Sequence, residues 1–80
     1  MKIYINDEKH NLLSSQLQAA DDFLARAPIE EIVFEGRHFT PTMIEIARMA
    51  LRHRIVMRGT SPETFNGMDQ LVTGGLQNIH

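Results

Sequence analysis

Three short runs rich in β-branched and aromatic residues alternate with three amphipathic stretches along 80 residues, and that alternation restricts the chain to an α/β architecture. A chain of this length closes one hydrophobic core, so a single domain over residues 1–80 is expected. The first run is the plainest. Met1, Ile3 and Ile5 alternate with Lys2, Tyr4 and Asn6, the period-two signature of a strand with one buried face. A turn-like Asn6-Asp7-Glu8-Lys9 follows, after which Leu12 and Leu13 fit either a short strand or the lead into a helix.

Ser14 or Ser15 can cap the first helix, and Ser15 with Gln18 has capping-box spacing. Leu17, Ala20, Phe23, Leu24 and Ala27 fall on one helical face, and Pro28 stops the helix. The second strand is expected over Ile29 to Glu35, with Val33 and Phe34 in the core and Gly36 ending it. Thr40-Pro41 then supplies an N-cap with proline at the first helical position, and Phe39 is placed to staple onto Ile44. At about 100° per residue, Met43, Ile44, Ile46, Ala47, Ala50 and Leu51 form the core face, leaving Glu45, Arg48, Met49 and Arg52 outside.

Ile55-Val56-Met57 makes the third strand, bounded by Gly59. Thr60 and Glu63 have capping-box spacing for a third helix, Pro62 sits just inside it, and Phe65, Met68, Leu71 and Val72 give its apolar stripe. Gly74-Gly75 is expected to end it with a left-handed cap. Strand–helix–strand alternation with short connections predicts a three-stranded, mostly parallel sheet with about three helices, mainly on one side, in two layers.

Composition excludes several functions. With 42% hydrophobic and 22% charged residues the chain belongs to the folded, not the disordered, class. The absence of cysteine removes disulfides, thiolate nucleophiles and Cys-based zinc sites, and fits a reducing, cytoplasmic setting. Neither a basic-then-apolar leader nor an apolar run long enough to span a bilayer is present, so no membrane insertion is expected. His10, His38, His53 and His80 lack metal-ligand spacing, so no metal and no cofactor is expected. No catalytic set emerges either. The serines have no glycine-flanked elbow, and Glu30, Glu31 and Glu35 read as charges guarding a strand. A non-enzymatic protein is the expectation.

Charge is informative through its placement. Residues 1–35 hold three basic and seven acidic side chains, whereas residues 36–60 hold Arg37, Arg48, Arg52, Arg54 and Arg58 against Glu45 alone. Such a split steers encounters with a charged partner. The predicted contact set is Glu45, Arg48, Met49 and Arg52 on the second helix, with Arg58 beside them; the competing reading is a solvated face on which Glu45 pairs with Arg48. Nucleic acid is disfavoured as the partner, because the pI is about 6.0 and no aromatic residue interleaves the arginines. Thr40 and Thr42 form a candidate anion or phosphorylation site at a helix N-terminus, with capping as the simpler role.

The order of elements resembles that of STAS domains, the anti-sigma factor antagonist family, through Ile29-Glu30-Glu31-Ile32-Val33-Phe34, the helix from Thr40, Ile55-Val56-Met57, Ser61-Pro62 and Gly75-Leu76. The resemblance implies a non-enzymatic regulatory module whose second helix contacts a regulator or an ATPase. Where that family opens the helix with an aspartate and a phosphorylatable serine followed by glycine, this chain has Thr40-Pro41-Thr42-Met43, so only Thr42 is left to stand in as phosphoacceptor. The second helix is also shorter here, and the segment from Ser61 to Gly75 longer. The alternative function is a phage or mobile-element inhibitor of a nucleic-acid-processing complex, with Asp21, Asp22, Glu30 and Glu31 mimicking phosphates. A homodimer through a free sheet edge stays open at this stage.

Overall fold

The computed structural model describes residues 1–77. In it β1 (Lys2–Asn6), α1 (Ser14–Arg26), β2 (Glu31–Glu35), α2 (Pro41–Arg52), β3 (Val56–Gly59) and α3 (Pro62–Gln77) alternate as expected. The strands lie in the order β1-β2-β3 and all run parallel, with Lys2 opposite Glu31 and Glu31 opposite Val56. Ile3, Ile5, Ile32, Phe34 and Met57 are the alternate residues that join the core with Leu24 of α1, Met43, Ile46, Ala47, Met49 and Ala50 of α2, and Met68 of α3. All three helices therefore cover one face of the sheet. The other face carries Lys2, Tyr4, Glu31, Val33, Glu35, Val56 and Arg58 and, among the described residues, has no helix on it. Its charged side chains make that exposure tolerable, although fully parallel sheets are normally covered on both faces. Val33 and Phe34 are both buried, as expected, but on opposite faces. Val33 is only 1% exposed because it sits mid-sheet between Tyr4 and Arg58 in register.

The helix ends show how local chemistry sets the boundaries. Thr40 caps α2 as predicted, its Oγ1 accepting from the Met43 N–H at 3.2 Å, with Pro41 at the first helical position. Neither serine caps α1. Leu13 occupies the N-cap, and the Gln16 side chain reaches back to accept from the Leu13 N–H at 2.8 Å. Leu12 and Leu13 form no strand, since Leu12 turns its N–H to Thr42 Oγ1 at 3.2 Å. At α3 the box is formed by Ser61 and Thr64, whose hydroxyls and N–H groups bond reciprocally at 3.0 and 3.2 Å. Thr60 instead bonds Phe34 O through its N–H at 3.0 Å, closing the end of β3. Phe65 is half exposed; the buried side chain of that first turn is Thr64.

Two further expectations need correction. Gly74 and Gly75 do not end α3, which continues to Gln77. A glycine permits a left-handed cap but does not impose one. The left-handed cap belongs to α2, where Arg54 has φ 58°. Ile55 N–H donates to Ala50 O at 2.8 Å and Arg54 N–H to Leu51 O at 3.3 Å, the paired bonds of a Schellman motif with arginine in the position glycine usually fills.

Candidate functional site

The predicted site is the outward face of α2, and its orientation is the first thing the structure changes. Met49 is 6% exposed and belongs to the core, whereas Leu51 is on the surface. The buried arc of the helix runs through Met49, Thr42, Ile46, Ala50, Met43 and Ala47, turned by about 60° from the arc that hydrophobicity alone selects. The cause is lateral packing. Thr42 accepts from Leu12 N–H and His53 bonds Asp21, so the stripe through positions 42, 49 and 53 faces α1 and the segment before it. Met49 lies between those two contacts. It is removed from the outward face for that reason, whereas Glu45, Arg48 and Arg52 are exposed on it.

The remaining side chains are tied together by ion pairs. Arg48 Nη1 lies 3.1 Å from Glu45 Oε1, one turn back on the same helix. Arg52 Nη2 lies 3.2 Å from Asp21 Oδ1 of α1, and His53 Nε2 lies 2.8 Å from the same oxygen. The hydrogen bond from His53 is the main cause holding the Asp21 carboxyl below its ordinary 3.8; desolvation opposes it and the Arg52 guanidinium reinforces it. Asp21 thus clamps α1 to the C-terminal turn of α2. The arginines still reach solvent: their side chains are 56% exposed for Arg48 and 58% for Arg52.

Arg58 does not join this face. It lies on the open side of the sheet, its Nε 3.6 Å from Glu31 Oε1, while Lys2 Nζ approaches the same oxygen at 3.8 Å. Arg37 and His38 are at the opposite end of α2, where their backbone N–H groups donate to Asp7 Oδ2 at 2.9 and 3.0 Å. Gly36, at φ 108°, is required there because a Cβ would overlap the Asp7 carboxylate. The candidate anion site also changes. Thr42 is buried with its hydroxyl engaged by Leu12, so it is not presented for phosphorylation, and Thr40 is occupied in capping.

Two hollows among the described residues are lined mainly by apolar groups. A cleft of 120 Å³ between β1 and α1 is lined by Ile3, Ile5, Leu12, Phe23 and Leu24 among others. A shallower depression between α2 and α3 is lined by Phe39, Ile44, Gly67, Gln70 and Leu71. No titratable side chain lines either one. Among the described residues no group of three or more His, Asp or Glu side chains is placed to hold a metal ion, and no helix is long and apolar enough to cross a membrane. The Asp21–His53 clamp was not legible beforehand, because its partners are 32 residues apart and no local spacing joins them. No protein-family model, curated protein or solved structure matches this chain.

Proposed function

We propose that the chain is a non-enzymatic, protein-binding regulatory module that contacts an acidic surface of its partner through Glu45, Arg48 and Arg52 on the outer face of α2. The observation that carries the reading is the pair of solvent-reaching guanidiniums on a helix whose two ends are fixed, by the Thr40 cap and by the Schellman turn. A rigid helix presenting arginine loses little conformational entropy on binding, and arginine forms planar, paired hydrogen bonds with carboxylates. The resemblance to STAS domains adds the same expectation of a regulator met through the second helix. No phosphoswitch belongs to the reading, since Thr42 is buried. Its setting is the cytoplasm, in keeping with a chain without cysteine. Phosphate mimicry has less support. Asp21, Glu30 and Glu31 are each engaged in ion pairs, which leaves Asp22 among the four acids it needs.

The test is affinity capture from nuclease-treated host lysate beside a Glu45→Arg/Arg48→Glu/Arg52→Gln variant. The swap preserves the ion pair along the helix while inverting the charge pattern. A protein bound by the original chain and lost by the folded variant supports the α2 face. Equal retention by both sinks the assignment.

A further inference from the structure

β1 is an edge strand, and among the described residues its outer side has a small set of unmatched backbone groups. Met1 O accepts from Glu30 N–H and Asp7 N–H donates to Glu35 O, so odd-numbered residues of this strand turn their backbone groups toward β2. The even-numbered residues face away. At Asn6 the outward groups are already engaged by His10, whose Nδ1 accepts from Asn6 N–H at 2.8 Å and whose N–H donates to Asn6 O at 3.1 Å. Lys2 and Tyr4 are left with outward N–H and C=O groups that nothing in β2 can reach. The other edge is less open. At β3, Met57 and Gly59 face outward by the same alternation, and the first turn of α3 packs so close to Gly59 that a Cβ would overlap the backbone of Thr64 and Phe65.

We infer that β1 pairs with β1 of a second copy of this chain, antiparallel, about a two-fold axis through Ile3. Centring the axis there sets Lys2 opposite the partner copy's Tyr4, so that the free groups of these two residues satisfy each other in both directions. Other registers fail on the same residues. An axis at Tyr4 calls on Asn6, whose groups His10 holds, and an axis at Lys2 puts two ammonium groups face to face. With Ile3 at the centre, the side chains on the helical side meet as Met1 with Ile5 and Ile3 with Ile3, apolar throughout. On the open side Lys2 lies across from a tyrosine ring, a favourable cation–aromatic pairing.

Four of the seven exposed large apolar side chains among the described residues lie on this side of the molecule: Met1 just before β1, Tyr4 within it at 53% exposure, Leu13 in the connection after it, and Phe23 of α1 at 49%. Phe23 lines the apolar cleft together with Ile3 and Ile5, so a strand laid along β1 covers its mouth. The pairing extends one parallel sheet into a continuous sheet across both copies and removes the open edge. It is independent of the α2 face, which stays free on each copy.

Sedimentation velocity from about 1 μM to about 1 mM protein tests the association, with amide hydrogen exchange at both ends of that range locating it. The expected result is a reversible dimer in which Lys2 and Tyr4 amides become protected at high concentration, while Ile3 and Ile5 amides, bonded within the sheet, are protected throughout. Tyr4→Pro removes an outward donor that the monomer does not use, and it should weaken dimerisation on the order of 10-fold or more. A monomer across the whole range overturns the inference. So does a dimer in which Lys2 and Tyr4 amides exchange equally fast at both concentrations, because its interface then lies elsewhere.

Discussion

Replacing Arg54 with glycine tests the position, among the described residues, where the backbone works against a side chain. Arg54 is held at φ 58° because the Schellman turn requires a left-handed residue between α2 and β3. For an L-residue this conformation costs about 1–2 kcal/mol, whereas glycine adopts it freely. Glycine gives back about 0.5–1 kcal/mol through the greater freedom of its unfolded chain. The Arg54 side chain is exposed and makes no ion pair among the described residues, so its loss takes away little packing. The net expectation for Arg54→Gly is a gain of about 0.5–1 kcal/mol, which in a domain of this size raises Tm by roughly 2–8 °C. Urea unfolding followed by circular dichroism measures it, and the m-value should not change. Arg54→Ala is the control, since it removes the guanidinium but keeps the Cβ, and should leave stability within about 0.5 kcal/mol. Equal stability of the glycine and alanine variants, or a loss with glycine, refutes the reasoning that strain resides in the backbone of this turn.

The remaining expectations concern the core, the clamp and the glycines. Met49→Ala should cost about 2–3 kcal/mol in urea unfolding, while Arg48→Gln stays within about 0.5 kcal/mol; similar losses for both would return Met49 to the surface. Asp21→Asn should be less stable than the original chain near neutral pH. Because the folded carboxyl sits below its ordinary 3.8, its contribution is complete above that pH and is lost as the pH falls through the folded value. The gap between the two proteins should therefore close in acid, and a gap that stays constant from neutrality to about pH 3 contradicts the clamp. Gly59→Ala should destabilise by more than about 2 kcal/mol, because the overlapping atoms are helix backbone and cannot swing aside. Gly74→Ala meets open space inside α3 and should stabilise by up to about 1 kcal/mol, so thermal melts of the two alanine variants should move in opposite directions.

Much of the framework was legible because it depends on short-range signals. Alternation placed β1, and Thr40-Pro41 fixed the start of α2 to the residue. The site was legible only in part. A helical wheel ranks residues by hydrophobicity but does not know where the neighbouring helices stand, and α1 buries the flank on which Met49 lies. Arg48 and Arg52 were read correctly as outward, yet their acidic partners were separable only in three dimensions for Asp21, which is 31 residues away from Arg52. At α3 the reading moved by one residue, because threonine at the third helical position can close a capping box as glutamate does. Arg54 gave no signal at all, since a left-handed cap is announced in sequence by glycine or asparagine and arginine is neither.

The consecutive strand order also bears on where recognition can occur. In open parallel sheets a ligand crevice opens where connections from neighbouring strands leave in opposite directions, at a topological switch point. Here every connection returns over the same side, so the loops after β1 and β2 lie against each other, and the Asp7 carboxylate seals them by bonding Arg37 and His38. The consecutive order therefore creates no switch point at the carboxyl ends of these strands. A molecule wound this way offers a partner its outer surfaces, the strand margin and the back of the central helix, together with the shallow apolar hollows at their flanks, and a change of partner would require only the repainting of those surfaces.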